Sequence, residues 1–599
     1  MTKEDKPHLL KPSKTKPLPT RLIFLDTETD VRPLDNTRKV HKLKLGIAQD
    51  VHRIGERTLE VHSECIFTSK PEFFTWLDNL AKGKQSYYLI AHNIAYDAMI
   101  LDAFRELPKM GFKMESMYSK GQVTIIRWER KGFRLIMLDN GNLFQGSLER
   151  WGTIFKIPKI AINFDKCTLE ELTVYCRRDV EIMIRSWRVW FDFLLEHDCG
   201  GFRVTVGSTA FNTWRHKYMQ ASPYVHKYAT VLSLEREAYH GGRVECFYQG
   251  KLTEETFYYL DINNMYGYVM RNNNYPIGIQ GYSEKLSIQR MINYLLRYNV
   301  IARVTVDVDT PVFVTKVDGF TAYPLGRFDV TLTTNELILA LQYGWLEKIH
   351  AMSWYKRERI FETFIDDFYK MRLAYREEGN TGFEQISKLL INSLYGKFGQ
   401  TGLTQKVIGT AAYDEIWSIP VHNISNGVNS RQIALGGVVI EEFHQGESFH
   451  SMPAIAAHVT ANARLYLFSL IQKAGWDNVF YTDTDSLIVN QSGYDNLSGH
   501  ISENELGKLK VELASNDVEI YAAKEYRMGD RMRLKGIRPN AVEVSKGVYE
   551  QEQWPKLTGS IHAKMPDDYI THTIEKHQSR RVRSGLVSPS GWVEPFQLG

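Results

Sequence analysis

Two aspartates stand two positions apart in Phe480-Tyr481-Thr482-Asp483-Thr484-Asp485-Ser486-Leu487. The flanks are apolar and extended in pattern, so the polar centre is expected at the turn of a hairpin. Residues two apart on extended backbone point the same way. Asp483 and Asp485 would converge, which costs energy unless a cation lies between them or one is protonated. Magnesium takes oxygen ligands of this kind. A bare Asp-x-Asp is more often a solvated acidic turn, but other acids repeat the theme. A short apolar strand from Arg21 brings Asp26 and Glu28, again two apart, to its C-terminal end. Asp97 lies one turn inside a helix that Asn93 is suited to cap. Tyr175 and Asp179 are four apart on a long helical pattern over 169–195, hence on one face. Singly, each acid reads as surface decoration. Together, Asp26, Glu28, Asp97 and Asp179 suit a pair of metal ions about 4 Å apart, which would stabilise the attacking and leaving oxygens of phosphodiester hydrolysis.

The elements that must hold these acids carry further chemistry. Phe257-Tyr258-Tyr259-Leu260-Asp261 is another strand ending in an acid. Helices are expected over 361–376 and 383–398, broken at 379–382. Lys370, Arg372 and Arg376 lie on the first; Lys388, Asn392 and Tyr395 are four and then three apart on the second and share a face. Cations fixed on facing helices suit the charge that builds on a leaving pyrophosphate. In Tyr239-His240-Gly241-Gly242-Arg243 the paired glycines permit a close backbone approach, and Arg243 would suit a phosphate. The stretch 299–309 alternates like a strand, 311–327 is loop-like, 335–343 is helical, 405–450 is β-like and broken by Gly and Asn, and 454–474 is a helix.

In this order the motifs resemble those of the family B DNA polymerases, over most of the chain from Arg21 to about Lys535. Asp26-x-Glu28, Asn93-x-x-x-Asp97 and Tyr175-x-x-x-Asp179 resemble the three proofreading exonuclease motifs. The resemblance implies a 3′→5′ exonuclease in which Asp26, Glu28, Asp97 and Asp179 hold two metals and Tyr175 orients the attacking water. It implies that Asn93 and Tyr96 contact the frayed primer end. Lys159 falls where the protein-primed subgroup has an auxiliary exonuclease lysine; a surface lysine is the competing reading. Tyr239, Gly241 and Gly242 resemble a Tyr-x-Gly-Gly element that binds single-stranded template. Asp261 and its followers resemble polymerase motif A: Asp261 would join Asp483 and Asp485 on the metals, the Ile262 carbonyl would be a further ligand, and Tyr266 would select deoxynucleotides. Asn264 and Gly267 replace this motif's usual serine and proline. The run from Lys388 to Gly396 matches motif B almost letter for letter. Lys388 would bind the triphosphate, with Arg376 (or the competing Arg372) as a second base, and Asn392 and Tyr395 would check the nascent base pair. Thr460 and Arg464 loosely match a primer-binding element. Lys524 and Tyr526 resemble the Lys-x-Tyr element that steadies the primer terminus.

The expected fold is therefore an α/β multidomain one: a ribonuclease-H-like exonuclease domain followed by a right-hand polymerase of palm, fingers and thumb. The expected units are a disordered basic tail (1–20), the exonuclease (21–200), a linker and start of palm (201–260), palm with a priming-protein insertion (261–355), fingers (356–400), a strand-displacement insertion (401–452), palm (453–537) and thumb (538–599). Implied cofactors are two magnesium ions per active site, with manganese able to substitute. Implied partners are primer-template DNA, deoxynucleoside triphosphates and, in the protein-primed subgroup, a terminal priming protein.

Composition bounds the rest. At 599 residues the chain is too long for one core. A formal charge of +4, from 74 basic and 70 acidic side chains, does not by itself announce a nucleic-acid binder. Five scattered cysteines without Cys-x-x-Cys exclude a zinc ribbon or disulfide framework and fit a reducing compartment. No run reads as long and apolar enough to cross a bilayer, so the expectation is a soluble intracellular monomer without membrane partners, in host cytoplasm if phage or plasmid encoded. Three rivals stay open: a polymerase using ordinary primers or none, a nucleic-acid-binding protein with vestigial centres, and an exonuclease that only clamps DNA with its second half. The complete acid sets speak against the second, and Tyr266 with the intact motif B against the third.

Overall fold

A computed structural model describes residues 6–14, 17–423, 427–564 and 568–599. The apolar run Leu22–Leu25 lies in the strand Arg21–Pro33, at the centre of a large mixed sheet. This strand pairs in parallel with Ser86–Ala91, which pairs in parallel with Phe133–Asp139, and it pairs antiparallel with Arg38–Ile54. The helix Leu169–Glu196 crosses the sheet. Thr168 and Glu171 start it with a reciprocal capping box. Leu172, Cys176, Asp179, Val180, Met183, Trp187 and Trp190 recur at helical spacing on its buried face. This half carries Asp26, Glu28, Asp97 and Asp179.

The expectation that Asp26 and Glu28 end their strand is corrected: it runs on to Pro33. What ends is the parallel pairing, after Phe24. The acids therefore emerge at the C-terminal edge of the parallel centre, where open α/β sheets bind ligands.

The second half is built on an antiparallel sheet ordered Val244–Cys246, Val479–Asp483, Ser486–Val489, Phe257–Ile262, Leu509–Ser515. The hairpin expected around Thr484 and Asp485 is present. The helix Pro453–Ala474 runs through the core, buried on nearly all sides. With a mean hydropathy of 1.2 it is long and apolar enough to cross a membrane by composition, which corrects the sequence expectation; its burial marks it as a core helix. The helices Glu362–Glu377 and Thr381–Ser393 pack as a pair. The second stops at Ser393 and tightens into a 3-10 turn over Tyr395–Lys397, short of the expected 398.

Other expectations change. Within 1–20, His8–Leu9 pairs with Tyr224–Val225 and Leu10 is fully buried, so the described part of this segment is ordered by its leucines rather than a solvated tail. The interval 201–260 is no linker: it holds Val206–Thr213, Ala229–Ala238 and three strands. The interval 311–327 contains a small hairpin, Thr315–Val317 with Phe320–Ala322. Residues of 401–452 form a four-stranded antiparallel sheet. The segment expected as a thumb does not stand apart. Its strands Val542–Ser545, Val548–Gln553 and Tyr569–His577 extend the first sheet across Arg38–Ile54, and Gln597–Leu598 pairs with Leu325–Thr333.

Two candidate active sites

Asp26 and Glu28 share one face of their strand, and Cys176 closes on them from the crossing helix. The three ligand atoms lie within 4.8 Å of one another, and the thiol is 3.3 Å from Asp26 Oδ2. Asp97, on the helix Ile94–Ile100, accepts a hydrogen bond from the Thr27 hydroxyl at 2.7 Å. Lys159 Nζ lies 2.6 Å from Asp179 Oδ2 and 5.0 Å from the Tyr175 ring centre. Lys159, Tyr175 and Asp179 thus converge as expected, and Lys159 is not a free surface lysine. Asp179 Oδ1 is buried without a partner.

These acids cannot all ionise unaided. Burial, then the Asp179 charge, pushes Asp26 up to about 7. Burial, then Asp26, pushes Glu28 up to about 9. Asp97 is raised well above the carboxylate range by burial and Asp26. Asp179 rises through burial, opposed by Lys159. A hard oxygen donor set with one unpartnered buried oxygen fits hard divalent cations, which would replace the protons. Such groups hold protons more tightly folded than unfolded. Their stabilising effect is complete below the ordinary values of 3.8 and 4.5 and is lost as pH rises through about 7 and about 9. Chelated protein should therefore lose roughly a few degrees of Tm between about pH 5 and about pH 9, and magnesium should restore Tm most at the alkaline end. Calorimetry with and without the cation checks this; a magnesium effect independent of pH would contradict it.

Asn93 occupies the helix N-cap position at φ 85°, but its side chain caps nothing. Asp139, which the motifs did not mark, accepts from the Ile94 amide at 3.1 Å instead and is itself pushed up to about 6 by burial. Its only sequence signal is an acid ending the strand Phe133–Asp139. Cys176 was equally unmarked. Tyr96 bonds Thr29 through its hydroxyl at 2.8 Å and borders the adjoining cleft with Asn93.

In the second half, Asp261 lies opposite Ser486 and Lys510 in its sheet. The Ile262 amide donates to the Asp485 carbonyl and the Asp485 amide to the Asp483 carbonyl, each at 2.7 Å, locking the strand to the turn. Thr484 sits at φ 64°, which costs a β-branched residue roughly 1–3 kcal/mol. The surroundings hold it there: its amide donates to the Arg243 carbonyl at 2.7 Å. A Cβ on Gly242 would come within 2.7 Å of Thr484, so that glycine is required by the turn. Burial and then Asp485 push Asp261 up to about 7; burial is also the main cause that takes Asp485 to about 6, with Asp483 adding to it. These oxygen donors fit the same class of cation. Lys524 Nζ meets Asp483 Oδ1 at 3.1 Å, so both acid sets carry a lysine partner.

The two departures in the Asp261 motif explain each other. Asn264 adopts φ 52°, a conformation asparagine tolerates, and its side chain accepts from the Gly267 amide at 3.2 Å. Proline at 267 would have no such amide, and even a Cβ there would lie 2.6 Å from Asn264 Oδ1. The helix Met265–Asn272 is thus started by this pair, and it presents Tyr266, whose ring stacks on Tyr395 at 4.5 Å and 20°.

Of the competing arginines, Arg372 is the one turned inward. Its charge, after burial, depresses the Lys388 ammonium, and Asp261 acts on both bases. Arg376 is spent on Glu384 at 2.9 Å and Asn504 at 2.7 Å. Asn392 is exposed one turn beyond Lys388.

Four further expectations are corrected by burial. Thr460 is enclosed, its hydroxyl bonded to the Ala456 and Ala457 carbonyls. Arg464 is 3 % exposed, paired with Glu336 at 2.9 Å, and donates to the His240 and Gly241 carbonyls. It holds the Tyr-x-Gly-Gly loop rather than a strand of DNA. Tyr526 is 2 % exposed, 5.2 Å from Tyr481 in the sheet's core. Arg243 is 1 % exposed, paired with Glu245 and lying 4.1 Å from the Tyr323 ring, so it reaches no phosphate. Tyr239 packs against Gly399, where a Cβ would meet its ring at 2.6 Å.

The sequence model of the family described as DNA polymerase type B, organellar and viral, matches residues 162–419. A probable DNA polymerase of Neurospora intermedia is 24% identical over 376 residues, 60% of this chain and 37% of the relative. The corresponding match in Ascobolus immersus takes in 26% of that relative, so the chain spans well under half the length of these curated relatives. The DNA-directed DNA polymerase of Enterobacteria phage PRD1 is 23% identical over 489 residues, 76% of this chain and 75% of the relative. Among solved structures, Phi29 DNA polymerase complexed with primer-template DNA and incoming nucleotide substrates aligns with a TM-score of 0.65 at 15% identity, covering 94% of this chain and 100% of that one. The same polymerase complexed with primer-template DNA aligns at 0.63 and 17%, covering 94% and 92%. The family resemblance therefore rests on residues 162–419, and the overall fold is shared with these solved structures over 94% of this chain.

Proposed function

From the premise that this chain is a relative of the viral and organellar type B DNA polymerases, we propose that it is a DNA-directed DNA polymerase with a separate 3′→5′ proofreading exonuclease. The observation that carries this is the presence of two acid sets on different sheets, each with a lysine partner, the second faced by Lys388 and Arg372 from the paired helices. Two magnesium ions per site, when bound, supply stabilisation of the attacking and leaving oxygens. The chain's own residues do the rest. Asp261, Asp483 and Asp485, with the Ile262 carbonyl, hold the ions for nucleotidyl transfer to a primer 3′-hydroxyl. Lys388 and Arg372 neutralise the triphosphate, Asn392 and the stacked Tyr266–Tyr395 pair shape the nucleotide pocket, and the turn at Thr484 is kept rigid by Gly242 and Arg243. In the exonuclease, Asp26, Glu28, Asp97 and Asp179 hold the ions and Tyr175 orients the water, with Lys159 fixing both Tyr175 and Asp179.

Priming by a terminal protein and strand displacement belong to the same proposal. What supports them is the pair of inserted sheets, one over 275–358 and one over 401–447, together with likeness to a phage polymerase over most of both chains. The protein would act as a monomer inside the host cell. Arg372→Ala should raise KM for deoxynucleotides about tenfold while Arg376→Ala changes it little, as steady-state incorporation kinetics would reveal. The deciding experiment is extension of a singly primed circular template with magnesium and all four deoxynucleotides. Products longer than one circle support the full reading. Synthesis ending at one circle keeps the polymerase and removes strand displacement; shortened primers alone would sink the polymerase.

A further inference from the structure

A cleft of about 910 Å³ opens beside Asn93, Tyr96 and Asp139, and part of its wall comes from the far end of the chain. The strand Tyr569–His577 pairs with Arg38–Ile54, with Tyr569 opposite His41, one strand away from Asp26 and Glu28. This pairing sets two aromatic rings of the C-terminal segment against Tyr96: Trp554 at 5.5 Å and Tyr569 at 4.9 Å between ring centres. His41 backs the group, 5.0 Å from Trp554 and 5.5 Å from Tyr569, and is itself held by the Thr571 hydroxyl at 3.1 Å. The Tyr96 hydroxyl is fixed by Thr29. Arg538 and Lys556 line the same cleft, and Arg431 reaches it from the 401–447 sheet. Rigid aromatic faces flanked by cations are how proteins grip unpaired nucleic acid without reading its sequence: bases stack on the rings and the backbone follows the charge.

We propose that Trp554 is a positioning residue of the exonuclease, forming with Tyr96, and backed by the buried Tyr569, an aromatic slot that stacks the terminal base of a single-stranded DNA 3′ end while Arg538 and Lys556 take its phosphates. This rests on the exonuclease reading above and adds to it a part supplied by about the last tenth of the chain. No motif marks these residues. The strand pairing brings them to the acids, so the exonuclease site is incomplete without the C-terminal segment.

The test uses the full-length protein and single-stranded oligonucleotides ending in 2-aminopurine or in an abasic nucleotide, bound in chelator so that nothing is cleaved. Wild type should quench the terminal 2-aminopurine. Trp554→Leu keeps an apolar side chain but removes the ring face, and should weaken binding of the base-bearing end about tenfold while leaving the abasic end unchanged. Trp554→Phe should restore most of the difference. Equal binding of both ends by wild type and Trp554→Leu, or an equal loss for both ends, would overturn the slot. Degradation of the same oligonucleotides in magnesium separates the two readings. Stacking without degradation overturns the exonuclease and leaves a single-strand slot; degradation without a stacking difference leaves the exonuclease and overturns the slot.

Discussion

Asp485→Ala should lower nucleotide incorporation on the order of a thousandfold or more while degradation of single-stranded DNA continues. The carboxylate is in the turn whose backbone also grips the Asp261 strand, through the Ile262 amide at 2.7 Å. Its side chain shares charge with both Asp261 and Asp483. Alanine leaves those backbone bonds intact, so the fold of the turn should survive and the loss should report ligation alone. An oxygen ligand at a two-metal centre stabilises transition-state charge by several kcal/mol, and each 1.36 kcal/mol is a factor of ten in rate. Single-turnover incorporation at saturating deoxynucleotide measures the chemical step directly. A loss under tenfold would remove Asp485 from the reaction, and a matching loss of exonuclease activity would mean that the variant had failed to fold. The separation is meaningful because the strands that carry Asp26 and Glu28 and those that carry Asp261 and Asp483 lie in different sheets.

How legible was this in the sequence? The acids were, because metal chemistry restricts residue type, and short strands fix spacing. Asp261 and Asp483 lie on strands that flank Ser486, while Asp485 sits in the turn after Thr484 at positive φ, so the turn and not strand alternation places it. What the sequence hid was packing. Thr460, Arg464, Tyr526 and Arg243 look like DNA contacts because hydroxyls, guanidinia and phenols serve that role on surfaces, yet each is enclosed, and for Arg243 and Arg464 a buried carboxylate partner decides the matter. No spacing rule reveals a partner such as Glu336, 128 residues away from Arg464. The choice between Arg372 and Arg376 was equally closed to pattern, since both lie on the same helix four residues apart, both reach Glu384, and only burial and Asn504 distinguish them. Long-range strand pairing was the largest gap. Nothing in Tyr569–His577 says that it will join a strand starting at Arg38, and that join sets the aromatic wall against Tyr96. The substitution of Asn264 and Gly267 for the usual pair, by contrast, turns from an anomaly into one hydrogen bond as soon as the backbone is seen.

Asp26→Asn should abolish 3′→5′ degradation, by on the order of a thousandfold, and should raise the stability of the metal-free protein at the same time. The two effects have one cause. Asp26 is enclosed among Glu28, Asp97, Asp179 and the Cys176 thiol, and its carboxyl is pushed up to about 7 by burial and then by Asp179. Above that pH without cations, the folded chain must hold a buried charge beside other charges. Asparagine keeps the shape, removes that charge and lowers the upward pressure on Glu28, to which Asp26 is the largest electrostatic contributor. In chelator at about pH 8.5 the variant should therefore melt above wild type, and in magnesium the order should reverse, because wild type then gains the binding free energy of the cations that the variant holds poorly. Incorporation should be unchanged, apart from a gain in net extension as the opposing degradation disappears. Paired melting curves and a 5′-labelled single-strand degradation assay read both effects from one preparation. A variant that loses degradation without the crossover in melting order would leave Asp26 a catalytic group but not a metal-linked one. A crossover with degradation intact would place the ions and the reaction in different sites. The expected outcome ties them together: the acid cluster is unstable by itself because it is built for cations, and the same electrostatic strain that makes it costly to fold makes it bind them.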